Sequence, residues 1–387
     1  MLLTGTGRLA PRGLSPWALR VVDGRITWIG APHEADDVER IDVGGALVTP
    51  GLVDAHTHPV FAGDRADEAA ARLDGAPYTD GGILRTMRAT RAADDGTLEA
   101  LVEARLRAAL AAGTTTVECK SGYGLSLDEE LRHLRIIRRV ADRVPIRVVA
   151  TLLGAHAVPP DAPSPDAYVR LVADEMIPAA AADGLAAFVD VFADAGFFDL
   201  AAVERIAGAA AAEGLGLRLH AEQLERTGAA ELGVRLGAAS VDHLEQLDPA
   251  GIAALAGSPT VATLLPAPAI VLRDRLPPAR ALLDAGGTVA LASDANAGTY
   301  GGFGTMPLIV GLGATLLGMS VPEALTAATA GGGEALAVSG LGRLEAGAPA
   351  DLVAWDASHE GAFALRLGAM RPLRIWIAGR EVPVPSV

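Results

Sequence analysis

His56-Thr57-His58 closes an apolar stretch that runs Ala46-Leu47-Val48-Thr49-Pro50-Gly51-Leu52-Val53-Asp54-Ala55. Side chains alternate along a strand, so residues two apart point to the same side. Two imidazoles therefore emerge together at the end of a buried strand. A pair of polar residues in a loop is the simpler reading, and one strand end alone cannot complete a metal shell. The chain holds eight histidines: His33, His56, His58, His133, His156, His220, His243 and His359. His56, His58, His156, His220 and His243 all fall at or just beyond the C-terminal end of an apolar strand candidate. Asp294 occupies the same place in Ala290-Leu291-Ala292-Ser293-Asp294-Ala295-Asn296. Imidazole and carboxylate donors without cysteine suit Zn²⁺ or iron better than Mg²⁺ or Ca²⁺, which prefer all-oxygen shells. Such an ion lowers the pKa of a bound water towards about 7 and supplies a hydroxide nucleophile. Asp294 can serve as ligand and as acceptor of the water's proton, so the reaction class is hydrolysis at a carbonyl or amidine carbon.

These residues need elements that bring them to one place. Eight apolar strand candidates span Leu47–Ala55, Thr115–Lys120, Ile146–Leu153, Phe188–Ala193, Gly216–Ala221, Ser240–Leu244, Thr260–Leu265 and Thr288–Ser293. Ala/Leu-rich helical stretches separate most of them, among them Leu98–Ala112, Asp128–Ala141, Ala201–Glu213 and Pro278–Ala285. Alternating strands and helices mean right-handed βαβ units and a parallel sheet. The expected fold is α/β: a closed (β/α)8 TIM-like barrel, whose C-terminal strand ends converge on one mouth. An open doubly wound sheet is the alternative, but no Gly-rich phosphate loop follows the first strand. Leu19–Gly30 reads as a hairpin turning on Asp23-Gly24, and Ala350–Trp355 and Arg374–Arg380 are strand-like. We expect a small β-sandwich domain built from both termini, residues 1–48 and 340–387, around a barrel of residues 49–339.

Half of the 387 residues are hydrophobic and only 4% are aromatic, so the core must be built from Ala, Val, Leu and Ile. The formal net charge of -15 argues against nucleic acid or an anionic membrane as partner. An anionic small-molecule substrate would need a local basic group. Lys120 is the single lysine, and Cys119 the single cysteine, so no intrachain disulfide forms; that fits a reducing cytoplasm. Cys119 in an apolar strand reads as a small buried hydrophobe. No signal-peptide pattern opens the chain. The uncharged run from Ala295 to Pro322 is broken by glycines and Pro307, so it reads as a buried helix rather than a membrane span.

The strand-end pattern of His56, His58, His220, His243 and Asp294 resembles the metal-dependent amidohydrolase superfamily. Asp23-Gly24-Arg25-Ile26 and Gly347-Ala348-Pro349-Ala350-Asp351-Leu352-Val353 look like its terminal β-sandwich. Within the superfamily, five segments resemble the imidazolonepropionase family of histidine degradation. They are His56–Arg65, Gly81–Arg91, Glu118–Leu125, Leu153–Pro160 and Asp294–Thr299. The resemblance implies opening of the ring of 4-imidazolone-5-propanoate to N-formimidoyl-L-glutamate. It implies one Zn²⁺ or Fe²⁺/Fe³⁺ per subunit on His56, His58, His220 and Asp294. Substrate contacts would come from Arg65, Tyr123, His156, Gln223, Asn296, Gly298 and Thr299, and the chain would form a homodimer. Two-metal members carry a carboxylated lysine on strand 4; Phe188–Ala193 has none, so one metal is expected, with Lys120 supporting the site. Two departures stand out. Gln223 occupies a position where some members have Glu, and Pro77-Tyr78-Thr79-Asp80 is shorter than the corresponding segment in many members.

The expected mechanism is hydroxide attack on the lactam carbonyl. Asp294 accepts the proton and passes it to the departing ring nitrogen. His243 orients the water or stabilises the tetrahedral oxyanion. His156 and Gln223 hydrogen-bond the ring; an amide does not titrate, so Gln223 leaves proton transfer to Asp294 and His243. Arg65 clamps the propionate bidentately; Arg88 and Arg91 are candidate helpers, with solvated helix-face charges the preferred reading of both. The alternatives are another amidohydrolase, acting on a different cyclic amide or as a deaminase, and a non-catalytic scaffold on the same fold.

Overall fold

Strands β1 (Leu52–Asp54), β2 (Thr114–Lys120), β3 (Arg147–Ala155), β4 (Phe188–Ala193), β5 (Gly216–Ala221), β6 (Ser240–His243), β7 (Val261–Leu264) and β8 (Val289–Leu291) pair in sequence order in one eight-stranded parallel sheet. This is a computed structural model of the chain, and it describes residues 1–35, 40–75 and 81–385. The short segment Pro77–Asp80 lies outside them. The sheet curls until its edge elements meet just past β1 and β8. Asp294 N–H donates to His56 O at 3.1 Å, His58 N–H donates to Ala295 O at 2.9 Å, and Thr57 bridges Ala295 in parallel. The barrel thus closes at the segments that carry His56, His58 and Asp294.

Each helix follows its strand for reasons visible locally. Leu127–Ala141 starts at Ser126, whose hydroxyl accepts from Glu129 N–H. Its acidic first turn and its Arg138-Arg139 end suit the helix dipole. Leu131, Leu134, Ile137 and Val140 recur at three-residue spacing and face the core. Among the described residues, no helix is long and apolar enough to cross a membrane, and the uncharged run holds the buried-faced helix Met306–Leu316.

Two four-stranded sheets from the chain's ends flank the barrel. One is ordered Arg25–Gly30, Trp17–Val22, Leu2–Gly5, Arg40–Asp42. The expected hairpin lies there, with Asp23 and Gly24 both at positive φ in its turn. The other is ordered Arg380–Val382, Pro372–Ile377, Leu352–Trp355, Leu47–Pro50. The stretch expected as one strand, Leu47–Ala55, is therefore two. Leu47–Pro50 pairs with Leu352–Trp355, and Leu52–Asp54 begins the barrel. Pro50 has no N–H with which to continue a ladder, and Gly51 N–H turns to Asp351 O at 2.8 Å.

Candidate metal centre and active-site pocket

His56 and His58 leave the end of β1, His220 lies near the end of β5, and Asp294 follows β8. Their donor atoms converge. The Nε2 atoms of His56, His58 and His220 are 3.1 to 3.4 Å apart. Asp294 Oδ1 lies 3.3 Å from His58 Nε2 and 3.6 Å from His56 Nε2. Ligands about 2.0 to 2.1 Å from a tetrahedral ion are roughly 3.3 to 3.4 Å apart, so the spacing fits one ion. The proton positions argue the same way. His56 Nδ1 is 2.7 Å from Asp242 Oδ2 and His220 Nδ1 is 3.1 Å from Asp190 Oδ1. A carboxylate only accepts, so both rings carry their proton on Nδ1 and turn Nε2 lone pairs towards each other. Facing lone pairs at 3.1 Å repel unless a cation lies between them. Burial holds His56 well below its ordinary pKa and also lowers that of His58, which favours the neutral ligand form.

A layer of charge beneath this cluster orients it. Asp190, Arg218 and Asp242 come from three adjacent strands and are fully buried. Lys120 Nζ is 2.7 Å from both Asp190 Oδ2 and Glu118 Oε1. Burial pushes the Asp190 carboxyl up, but His220 and Lys120 outweigh it and hold it well below the usual carboxylate range. Arg218 Nη2 donates to Asp242 Oδ2 at 3.0 Å. Glu118 Oε2 accepts from Thr57 N–H at 3.1 Å and so fixes the residue between two ligands. Asp54 accepts from both the backbone and the hydroxyl of Ser293, next to Asp294. Lys120 thus supports the site, as expected for it. The roles of Glu118, Asp190, Arg218, Asp242 and Asp54 were missed from sequence. A charged residue inside an apolar strand, such as Asp190 in Phe188-Val189-Asp190-Val191-Phe192, was the available signal.

Above the cluster lies a pocket walled by His58, Arg65, Tyr123, His156, His220, Gln223, His243, Asp294, Asn296 and Thr299, with Ile83 and Phe192 supplying apolar surface. Of the residues expected to bind metal or substrate or to act in catalysis, all but two line this pocket. His56 lies below it in the ligand cluster, and Gly298 sits behind Arg65. The pocket interior is about 30 Å³. A roomier groove of about 940 Å³ runs past Val43, Trp355 and Leu365, but none of the five strand-end histidines lines it. Chemistry, not size, marks the site.

The second sphere of the pocket is specific. His243 Nδ1 is 3.5 Å from Glu245 Oε1. Burial pulls its pKa down, but Glu245, with Asp294 and Asp242 behind it, raises it to about 9. A bound cation pushes the opposite way. His243 and Asp294 both sit at positive φ, 83° and 48°, strain of the kind concentrated at functional sites. His156 Nδ1 is 2.8 Å from Gly122 O, and burial holds this ring well below its ordinary pKa. Gln223 is held by its backbone, whose N–H donates to Asp194 Oδ2 at 2.7 Å. The Asn296 amide bonds within its own loop, to Asp294 O, Thr299 Oγ1, Gly298 N–H and Thr299 N–H.

Arg65 lies in a slot. A Cβ added at Gly82 or Gly298 would collide with its guanidinium. Glu68 takes its Nε and Nη2 at 2.8 and 2.5 Å, and Arg72 bonds both Glu68 and Gly298 O. Arg91, read from sequence as a solvated charge, is instead a clamp: its Nε donates to Gly124 O at 2.7 Å and its Nη2 to Leu125 O at 3.1 Å. The physical reason is that its helix, Gly81–Ala92, runs beside the loop after β2. Arg88 is exposed.

A parallel α/β barrel with histidines and an aspartate gathered at its C-terminal mouth defines a metal-dependent hydrolase. The model of the amidohydrolase family matches residues 47–382. The imidazolonepropionase of Ectopseudomonas mendocina is 48% identical over 91% of this chain and 90% of its own. That of Caulobacter vibrioides is 48% identical over 91% of each chain. In fold, the chain is similar to a 5-methylcytosine deaminase from Klebsiella pneumoniae, at 19% identity, TM-score 0.81 and coverage of 100% of this chain and 99% of that one. The chain belongs to the imidazolonepropionase family of amidohydrolases.

Proposed function

We infer that this enzyme hydrolyses the cyclic amide of 4-imidazolone-5-propanoate to N-formimidoyl-L-glutamate, in histidine degradation. The relatives' activity supports the reaction. The single observation that carries it to this site is the presence of Arg65 in the same pocket wall as His58, His220 and Asp294. A carboxylate anchored on that guanidinium brings an attached ring to the ligand cluster.

His56, His58, His220 and Asp294 hold one Zn²⁺ or iron ion per subunit in this reading. An ion held there would supply Lewis acidity to a water and to the ring carbonyl. The Asp294 carboxylate takes the water's proton and returns it to the ring nitrogen as the C–N bond breaks. Burial pushes its pKa up, but the surrounding imidazoles outweigh that and hold it low, so it starts ionised. His243 donates to the developing oxyanion. His156, with Nδ1–H spent on Gly122 O, offers Nε2 as an acceptor to the ring. Tyr123, Gln223, Asn296, Gly298 and Thr299 complete the substrate contacts. The enzyme works in the cytoplasm as a homodimer; its mass in solution checks the dimer, and metal analysis of the purified protein checks the ion.

The test is an ultraviolet assay for loss of imidazolonepropionate, run beside a panel of cyclic amides. Turnover of the former supports the reading. Turnover of another amide with none of imidazolonepropionate overturns it.

A further inference from the structure

Glu130 is a carboxylate with no exposed surface, on the first turn of Leu127–Ala141, and the mechanism does not use it. Three backbone N–H groups converge on it. Gly122 N–H donates to Oε2 at 2.8 Å, and Gly124 and Leu125 N–H donate to Oε1 at 2.8 and 2.7 Å. These amides bracket Tyr123. The carbonyls of Gly124 and Leu125 accept from Arg91. Gly124 and Leu125, the two residues after Tyr123, are therefore each gripped on both sides, N–H by Glu130 and C=O by Arg91. On the other flank, Gly122 O accepts from His156 Nδ1, which selects the tautomer that ring presents. The rings of Tyr123 and His156 stand 5.2 Å apart in the pocket wall. A carboxylate suits the task because it offers several acceptor sites and no donor, whereas an amide would turn an N–H₂ against backbone N–H groups.

We propose that Glu130 and Arg91 form a latch that positions Tyr123 and His156 for substrate, making both positioning residues for the reaction. This rests on the reading of Tyr123 and His156 as substrate contacts. Neither latch residue touches the ligand cluster by any described hydrogen bond, so the latch acts on substrate affinity rather than on metal content.

The experiment measures kcat, KM, metal content and Tm for wild type, Glu130→Gln and Arg91→Met, with imidazolonepropionate as substrate. A misplacement of about 1 Å can cost up to 10²-fold. We expect KM to rise about 10-fold or more, with kcat changed less and metal content retained, the signature of lost substrate binding. The KM effect of Arg91→Met shrinks when Tyr123→Phe is already present, because the two act through one contact. The Arg91 side chain is 25% exposed, so Arg91→Met carries the test if Glu130→Gln does not fold. Wild-type turnover with unchanged KM in the folded variants, or strictly additive effects with Tyr123→Phe, overturns the latch alone. Absence of wild-type turnover overturns the functional reading and the latch with it.

Discussion

Arg65 shows how much a single residue depends on what surrounds it. Gly82 and Gly298 leave the space its guanidinium fills, and Glu68 fixes its plane. Hydrogen bonds to charged groups contribute about 1.5 to 3 kcal/mol, or roughly 10- to 100-fold in affinity. Arg65→Ala should raise KM by that order while metal content stays constant; unchanged kinetics would rule out the clamp. Asp242 has a different task. Its Oδ2 receives both His56 Nδ1 and Arg218 Nη2. Partners of this kind typically change metal affinity about 10- to 100-fold when altered. Asp242→Asn should weaken metal retention to that extent in a chelator competition, whereas equal retention would deny it the orienting role.

At the scale of the element, the helix Leu127–Ala141 carries a second buried residue of consequence. His133 is fully buried, and neither ring nitrogen has a hydrogen-bond partner among the described residues. Burial first, then Arg132 and Arg91, push its pKa from the ordinary 6.5 to about 3. The unfolded chain therefore binds a proton near pH 6.5 that the folded chain refuses until about pH 3. Stability from this residue is complete above the unfolded value and is lost as pH falls through the window, by up to about 1.4 kcal/mol per unit. His133→Leu should flatten the acid side of the stability profile relative to wild type. Parallel profiles for the two proteins between pH 6 and 4, followed by thermal melts, would contradict this.

The whole molecule depends on the join between barrel and terminal sheets. Trp355 has no exposed surface, donates Nε1–H to Thr49 Oγ1 at 2.9 Å, and meets the Phe363 ring edge-on at 5.1 Å. Replacing a buried tryptophan with alanine costs about 3 to 5 kcal/mol. Trp355→Ala should lower Tm by several degrees while kcat of the folded enzyme stays near wild type, since the indole lies outside the pocket. A large loss of kcat at unchanged Tm would mean that the sheet communicates with the site. The global charge of -15 also acts at this scale, and Arg65 and Arg72 beside the pocket supply the local positive charge that an anionic substrate needs.

Much of this was legible before any tertiary structure. Period-two placement of His56 and His58, and repeated strand ends bearing His156, His220, His243 and Asp294, were enough for a metal-bearing parallel barrel. Local patterns sufficed because each strand and helix carries its own periodicity and caps. What the chain alone did not reveal were the interactions between distant segments. The break at Pro50-Gly51 depends on Leu352–Trp355 drawing Leu47–Pro50 away from the barrel. The buried network of Lys120, Asp190, Arg218 and Asp242 exists only where the closed barrel brings opposite charges from four strands together. The Glu130 nest and the Arg91 clamp need a loop, a helix after β2 and a helix before it to meet. Sequence determined which residues have the chemistry and at which strand ends they emerge. Tertiary structure decided which of them face one another, because hydrogen bonds and charge pairs act over a few ångströms in space and take no account of separation along the chain.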